Sequence, residues 1–238
     1  MTYLLAIDTA TRFATVAVGT RDSVDAHIVG GTWHSKHNHG VELLAKVNEY
    51  ISDAGITISD ITHIAVVTGP GSFSALRVGL ATAQGMALAQ GIPLLPVPTF
   101  ELEVEPWSDR DVPVCAVVDA GSSGVAWGLS VPAENGRIIE RNGLDTFEDC
   151  AAVCPDDTLF CGESVRKITD NVSPARILSH GAPTRSAESL INLAFRKLDG
   201  GQALDPSKVE ITYARAPSTT TPKVRLPDGI RPRKTDKK

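Results

Sequence analysis

The alternation of apolar and polar residues along the first hundred positions predicts a sheet with helices inserted between its strands. Apolar runs rich in β-branched residues and bounded by turn residues occur at residues 3–9 and 64–67, and such runs are typical of buried strands. Residues 11–18 alternate well enough to pair with the first run as a hairpin, and residues 26–30 could form a third strand. Prolines in residues 92–97 predict a further strand at a sheet edge or boundary.

Two predicted helices, at residues 40–54 and 73–90, have more apolar positions than one buried face requires. The second helix has no charge in residues 78–90, although a surface helix normally keeps a charged face. We therefore expect a second cover on both helices, supplied by another part of the chain or by a partner protein. The apolar rows of the first helix are Leu43, Val47, Tyr50 and Ala54, and Val41, Leu44, Ala45 and Ile51; the second helix has a stripe of small residues, Gly79, Ala83 and Ala87.

The second half of the chain repeats the first half in outline. An apolar run at residues 114–119 ends at Asp119, as the first strand ends at Asp8, and residues 124–131 would be its hairpin partner. The first half itself has the order of three antiparallel strands, a helix and another strand, which is the order of a ribonuclease H-like lobe. Further predicted elements are a strand at residues 158–161, a helix at 186–198 and a short extended segment at 211–215.

Acidic and polar residues around Pro106, at positions 101–112, predict a linker between lobes. We accordingly expect an N-terminal lobe at residues 1–105 that binds a partner, a C-terminal lobe at 106–222, and a basic tail without fixed structure at 223–238.

Gly69-Pro70-Gly71 lies between a predicted strand and a predicted helix that Ser72 or Ser74 could cap. A glycine turn in this position can direct backbone N–H groups and a helix dipole at a phosphate, but it can also serve only as a turn. No Walker lysine follows the loop. Asp8 likewise has two interpretations, a carboxylate near a metal-bound phosphate or a cap on its own backbone turn.

Composition limits the classes of function that remain. The 238 residues are 42% hydrophobic and 21% charged, as in a globular protein with two cores, and the absence of a signal-like or membrane-spanning stretch makes the cytoplasm the expected location. Residues 223–238 carry seven Lys or Arg and two Asp, whereas the other 222 residues carry 16 basic and 26 acidic residues. An acidic body argues against a broad nucleic-acid surface, although the tail could contact phosphate.

Two groups of residues could suggest a metal site. His34, His37 and His39 are close in sequence, but no carboxylate or cysteine with ligand spacing accompanies them, so we expect solvated or capping groups. Cys150 and Cys154 are four positions apart with no nearby histidine, which is a weak metal signal, and the cysteines are expected to be reduced and partly buried. We assign no metal ligand and no catalytic residue.

Several segments together resemble the TsaB (YeaZ) family. They are LLAIDTAT at residues 4–11, HGVELL at 39–44, TGPGSFSALRVGLATAQGMALA at 68–89, VVDAG at 117–121 and YARAP at 213–217. The resemblance implies an α/β, two-lobed actin-like ATPase (ribonuclease H-like) fold, with duplicated lobes whose mixed sheets are flanked by helices. Two positions depart from the family pattern, Ala75 after GPGSFS and Gly121 in place of an arginine.

The resemblance also implies a non-catalytic scaffold subunit in the synthesis of N6-threonylcarbamoyladenosine in tRNA, beside the anticodon. Its partners would be the catalytic TsaD subunit, docked on the first two helices, and the ATPase TsaE. Without these partners the chain would form a homodimer. It would contact tRNA only indirectly and would not bind a membrane. No tightly bound cofactor is expected, although ATP or ADP could lie at the partner interface. Alternatives are a small-molecule kinase or ATPase of the same fold, or a metallopeptidase.

These expectations assign residues to two sites. The residues expected near a nucleotide phosphate are Asp8, Thr9, Gly69, Pro70, Gly71, Ser72 and Arg77. The residues expected at the partner interface are His39, Leu43, Val47, Tyr50, Leu76, Gly79, Leu80, Ala83, Met86 and Ala87.

Overall fold

A computed structural model describes residues 1–21, 26–36, 39–121, 124–134, 136–178 and 181–214. Its strands are β1 (Thr2–Asp8), β2 (Phe13–Arg21), β3 (Ala26–His34), β4 (His63–Gly69), β5 (Leu94–Pro98), β6 (Val114–Asp119), β7 (Val125–Ala133), β8 (Gly136–Asp145) and β9 (Leu159–Cys161). Its α-helices are α1 (His39–Asp53), α2 (Phe73–Gln90), α3 (Thr99–Val104), α4 (Phe147–Val153) and α5 (Ala187–Asp199). Among these residues, no helix combines the length and the apolar character needed to cross a bilayer.

The first sheet has the order β3-β2-β1-β4-β5, and helices cover both of its faces. β1 pairs antiparallel with β2 and parallel with β4. Successive residues of a strand point to opposite faces. Leu4 and Ala6 accordingly pack in the core that contains α5, whereas Leu5 and Ile7 pack in the core that contains α1 and α2. The apolar run of β1 thus supplies both faces of the sheet, which lies as the middle of three layers.

The second sheet, with the order β8-β7-β6-β9, repeats the first one in a shorter form. β6 pairs antiparallel with β7 and parallel with β9, as β1 does with β2 and β4. The predicted fold class, two duplicated α/β lobes with mixed sheets, is confirmed. The sequence patterns did not identify β8, whose positions are mostly polar or partly exposed, or α4, which is only seven residues long.

The segment predicted as a linker does connect the two sheets, but its first residues belong to the buried helix α3 and not to an irregular, exposed connection. Leu102 packs in the core of the first sheet, and Phe100 and Val104 pack in that of the second. The glutamates of this segment obscure its apolar positions when it is read as sequence. Its short helix is thus the connection between the two sheets.

The division of the chain into lobes stays a prediction, and two observations bear on it. α5, which the division assigns to the second lobe, packs on the first sheet through residues such as Leu190 and Ala194. Thr212 donates its N–H to the Thr68 carbonyl (2.8 Å), so the segment after α5 also returns to the first sheet. The basic tail and Arg215 lie outside the described residues.

The small-residue stripe of α2 faces its own sheet. A Cβ atom at Gly79 would lie 2.3 Å from Thr9 Oγ1, and Ala83 and Ala87 are fully buried. The stripe thus allows the helix to approach β1 and the turn that follows it. Ala81 and Gly85, two positions away, are exposed on the opposite side of the helix.

Two alanines of α2 provide a test of this orientation. Ala83→Glu should lower the free energy of unfolding by about 3–5 kcal/mol, because it buries a charge that has no partner. Ala81→Glu, on the exposed side, should change it by less than about 0.5 kcal/mol. Urea denaturation followed by circular dichroism measures both values, and equal losses would contradict the orientation of α2.

Candidate functional site

A cleft of about 830 Å³ lies between the two sheets. The first lobe lines it with the turn after β1 and with Pro70, Gly71 and Ser72, and the second lobe lines it with the end of β6 and with Lys167. This volume is within the range of small-molecule sites. The loops that line it follow the carboxyl ends of β1, β4 and β6, which is where open α/β sheets place ligands.

A buried ion cluster adjoins the cleft, with Arg185 at its centre. Its Nε lies 2.7 Å from Asp8 Oδ2, its Nη2 lies 2.9 Å from Glu163 Oε1, and its Nη1 bonds Glu103. The Arg185 side chain is 2% exposed, and those of Asp8 and Glu103 are fully buried. Thr11 joins the cluster, because its Oγ1 accepts from Arg185 Nη2 (2.9 Å) and donates to Glu163 (2.7 Å).

The cluster places three carboxylates around one permanent positive charge. Burial raises the pKa of Glu103, and Arg185 and a hydrogen bond from Thr184 offset part of that rise. Burial alone would lower the pKa of Arg185, but the charges of Asp8, Glu103 and Glu163 outweigh it and raise that pKa. The guanidinium is therefore firmly cationic and is the counter-charge on which these carboxylates depend.

The aspartates that end β1 and β6 make equivalent contacts. Asp8 Oδ1 accepts from the Ala10 N–H (2.8 Å), and Asp119 Oδ1 accepts from the Gly121 N–H (2.7 Å). The second oxygen of Asp119 accepts from Lys167 Nζ (2.5 Å), as that of Asp8 accepts from Arg185. Both aspartates thus cap their own turns and pair with a cation from a distant segment, the first buried and the second exposed.

The glycine loop before α2 is closely packed against the rest of the first lobe. Ser72 donates its N–H to the Ala10 carbonyl (2.6 Å), and a Cβ atom at Gly71 would lie 2.3 Å from that same carbonyl oxygen. Gly69 has φ +108°, and a Cβ atom there would meet the Thr212 carbonyl. Ser72 stands at the N-cap position of α2, but its side chain makes no capping hydrogen bond.

The remaining residues expected near phosphate are engaged elsewhere. Thr9 Oγ1 donates to the Ala75 carbonyl (2.7 Å). Arg77 Nε donates to Tyr213 Oη (3.2 Å), and its guanidinium lies 3.8 Å from the Phe73 ring centroid. Of the seven residues expected at this site, Pro70, Gly71 and Ser72 line the cleft, whereas Asp8, Thr9, Gly69 and Arg77 do not.

The histidines do not assemble a metal site in the part of the chain that the structure describes. His39 is buried, with Nε2 3.0 Å from the Thr11 carbonyl, and His34 packs edge-on against Phe13. Within the described residues neither belongs to a group of three ligand atoms close enough to share an ion. His37 lies outside the described residues.

Most of the expected partner-interface residues are interior residues of the monomer, and their assignment to a docking surface is wrong. Tyr50 and Met86 are half-buried. The buried residues are His39, Leu43, Val47, Leu76, Gly79, Leu80, Ala83 and Ala87.

Other residues of the same two helices are exposed instead. Val41 is 72% exposed and Leu44 51% on α1, and Leu88 is 62% exposed on α2. We call these three, with the exposed Ala81 and Gly85, the α1–α2 surface. Both helices pack on the same face of the first sheet.

Sequence reasoning did not find the centre of the ion cluster. Arg185 stands in a polar segment before α5, and Glu103 stands in the segment that was read as a linker. No spacing or motif connects either residue with Asp8.

Comparisons with known proteins agree with one another. The family model described as TsaD, tRNA N6-adenosine threonylcarbamoyltransferase, matches residues 33–158. The TsaB biosynthesis protein of Escherichia coli is 33% identical over 135 residues, which cover 56% of this chain and 57% of that protein. The Bacillus subtilis TsaB protein is 25% identical over 177 residues, which cover 74% of this chain and 70% of that protein. The tRNA N6-adenosine threonylcarbamoyltransferase of Streptococcus pneumoniae is 36% identical over 108 residues, which cover 40% of this chain and 32% of that protein.

Two Pseudomonas aeruginosa structures share the fold, one described as a protein with similarity to peptidase YeaZ (TM-score 0.78) and one as YeaZ (TM-score 0.77). Each is 23% identical and covers 90% of this chain and 100% of its own. The matched region thus spans little more than half of the first of the curated relatives and about a third of the transferase. Because the family model covers more than half of the chain, the chain belongs to the family described as TsaD, and its curated relatives named TsaB confirm the predicted resemblance to the TsaB (YeaZ) family.

Proposed function

We propose that this chain is a non-catalytic scaffold subunit in the synthesis of N6-threonylcarbamoyladenosine in tRNA, beside the anticodon. Relatives from two bacteria are named for the biosynthesis of this nucleoside, and a third is named as the transferase. The observation that carries the scaffold role is the exposed α1–α2 surface. Its partner would be the catalytic TsaD subunit.

The α1–α2 surface has the properties of a docking site. Three large aliphatic side chains exposed on two neighbouring helices cost free energy in water, and a partner that covers them recovers it. Ala81 and Gly85 are small, so a helix of the partner could approach the α2 backbone closely. Without TsaD, a second copy of the chain could cover the same surface in a symmetric dimer. TsaE would join the pair, and contact with tRNA would be indirect.

The state of Asp8 supports a role without catalysis. A carboxylate that holds a metal-bound phosphate needs a free oxygen facing the ligand. Both oxygens of Asp8 are occupied, one by the Ala10 N–H and one by Arg185, and the side chain is fully buried. In this proposal the carboxylate holds the lobes together.

A nucleotide-binding enzyme is the second candidate, because the cleft is large enough for a nucleotide and Lys167 and Arg12 line it. The ion pair of Lys167 with Asp119 reduces the positive charge available to a phosphate. We therefore expect weak binding of ATP or ADP by the chain alone.

A substitution at Gly85 tests the interface. A Cβ atom there meets nothing within 4 Å, so Gly85→Glu should fold normally while it places a charge on the docking surface. The affinity for purified TsaD should fall at least about 100-fold in calorimetric titration, because the charge would be buried without a partner. Asn192→Glu, on the exposed side of α5, is the matched control and should bind as the wild type does. Unchanged affinity of Gly85→Glu would reject this surface.

Titration of the isolated chain with Mg-ATP separates the two candidates. The scaffold should give a dissociation constant weaker than about 1 mM, because the cleft offers no free carboxylate at Asp8 and its lysine is paired. Micromolar binding accompanied by ATP hydrolysis would favour the enzyme, and loss of that binding in Lys167→Ala would place the nucleotide in the cleft.

Substitution of Arg185 tests the ion cluster. Arg185→Met leaves three carboxylates without their counter-charge, and the free energy of unfolding should fall by about 3–5 kcal/mol. Arg185→Lys should recover only part of this loss, because an ammonium group cannot reproduce the guanidinium fork. Arg77→Met, at an exposed arginine, is the control and should cost less than about 1 kcal/mol. Urea denaturation gives all three values. If Arg185→Met is as stable as the wild type, the ion cluster is dispensable for the stability of the fold.

A further inference from the structure

Three cysteines of the second lobe meet in its core, although they come from separate parts of the chain. Cys115 lies on β6, Cys150 lies on α4 and Cys154 follows the last residue of α4. Their Sγ atoms all lie within 4.8 Å of one another. Cys115 and Cys150 are fully buried, and Cys154 is 7% exposed. The sequence offered only the Cys150–Cys154 spacing, and the fold adds the third thiol.

Local structure fixes the position of each sulphur. Thr146 caps α4 by accepting the Asp149 N–H (3.1 Å), and this places Cys150 one turn into the helix, facing β6. Cys154 ends the helix with φ −87° and ψ 144°, which keeps its side chain in the same core. Cys115 enters that core because alternate residues of β6 face it.

We propose that Cys115, Cys150 and Cys154 form a three-coordinate, all-sulphur binding site for a thiophilic metal ion, and that Cu⁺ is the ion that fits it. Thiolates bind such ions with metal–sulphur bonds of about 2.3 Å, so three sulphurs arranged around one ion lie about 4.0 Å from each other. The three sulphurs lie within 4.8 Å of one another before any ion is bound, so the ligand atoms are already gathered in one place. Binding would release the thiol protons to solvent.

The surroundings favour Cu⁺ over Zn²⁺. Zn²⁺ in proteins almost always takes four ligands, whereas soft thiolates select Cu⁺. Within the described residues, no fourth thiol, imidazole or carboxylate belongs to the group. The carboxylate of Asp145, five residues before Cys150, is engaged with another side chain, because its Oδ2 accepts the Trp127 indole N–H (2.7 Å). The core around the sulphurs is apolar, including Val117 and Phe160, so a water ligand would lack hydrogen-bonding partners there.

Two arginines supply positive charge beside the site. Arg141 Nη2 donates to the Val153 carbonyl (3.5 Å), and Arg176 Nη2 donates to the Pro155 carbonyl (2.9 Å). These carbonyls belong to the residues on either side of Cys154, so the guanidinium groups are held near its sulphur. They would offset the negative charge of a thiolate–Cu⁺ centre. A bound ion would tie β6 to α4 and stabilise the second lobe.

Titration of the full chain with Cu⁺ under anaerobic, reducing conditions tests the site, with a chromophoric Cu⁺ chelator as competitor. The wild type should bind one equivalent and gain near-ultraviolet thiolate-to-copper absorption. Its unfolding midpoint should rise by roughly 5–10 °C when free Cu⁺ exceeds the dissociation constant about 100-fold. Zn²⁺, titrated in parallel, should bind at least about 100-fold more weakly.

Cys154→Ser is the informative variant, because this cysteine is the most exposed of the three and its loss should leave the fold intact. It should weaken Cu⁺ binding at least about 100-fold while circular dichroism stays that of the wild type. Cys161→Ser, at a buried cysteine in a different core, is the control and should keep full binding. A folded wild type that binds no Cu⁺, or Cys154→Ser that binds it equally well, would overturn the site; tighter binding of Zn²⁺ than of Cu⁺ would overturn the choice of ion.

Discussion

The arrangement of the two lobes depends on one buried guanidinium. Arg185 pairs with Asp8 at the end of β1, with Glu103 on α3 and with Glu163 after β9, so a single side chain joins the first sheet, the connecting helix and the second lobe. Buried carboxylates need a counter-charge, and removing it exposes each of them to the full cost of desolvation. Because Arg185 directly precedes the N-cap of α5, the cluster also fixes where that helix starts on the first sheet.

The same cluster limits the chemistry of the cleft. Each lobe ends its first strand with an aspartate, and in each lobe that aspartate caps its own turn and pairs with a distant cation. Each lobe thus carries a carboxylate at the equivalent strand end, and a basic side chain of the same chain pairs with it. In our proposal these paired carboxylates hold the two lobes in place and do not bind a metal-bound phosphate.

The first two helices show how one segment can serve both a core and a surface. On α2 the buried Ala83 and Ala87 alternate with the exposed Ala81 and Gly85, so both sides of the helix are small and uncharged. On α1 Leu43 faces the sheet, whereas its neighbour Leu44 faces solvent. The excess of apolar residues is therefore divided between the sheet and, in our proposal, a partner protein.

The strands other than β8, the long helices, the repeated order of elements and the family could all be predicted from the sequence, because periodicity, turn residues and motifs are local properties of the chain. It did not determine which apolar row of α1 or α2 turns inward, since both rows satisfy the same helical period and the position of the sheet selects between them. Nor could it pair Arg185 with Asp8, 177 positions away, or bring Cys115 to Cys150 and Cys154. Such contacts depend on where the topology places distant segments, and no local pattern encodes that placement. The ion cluster, the thiol cluster and the exposed surface therefore follow from the folded arrangement alone.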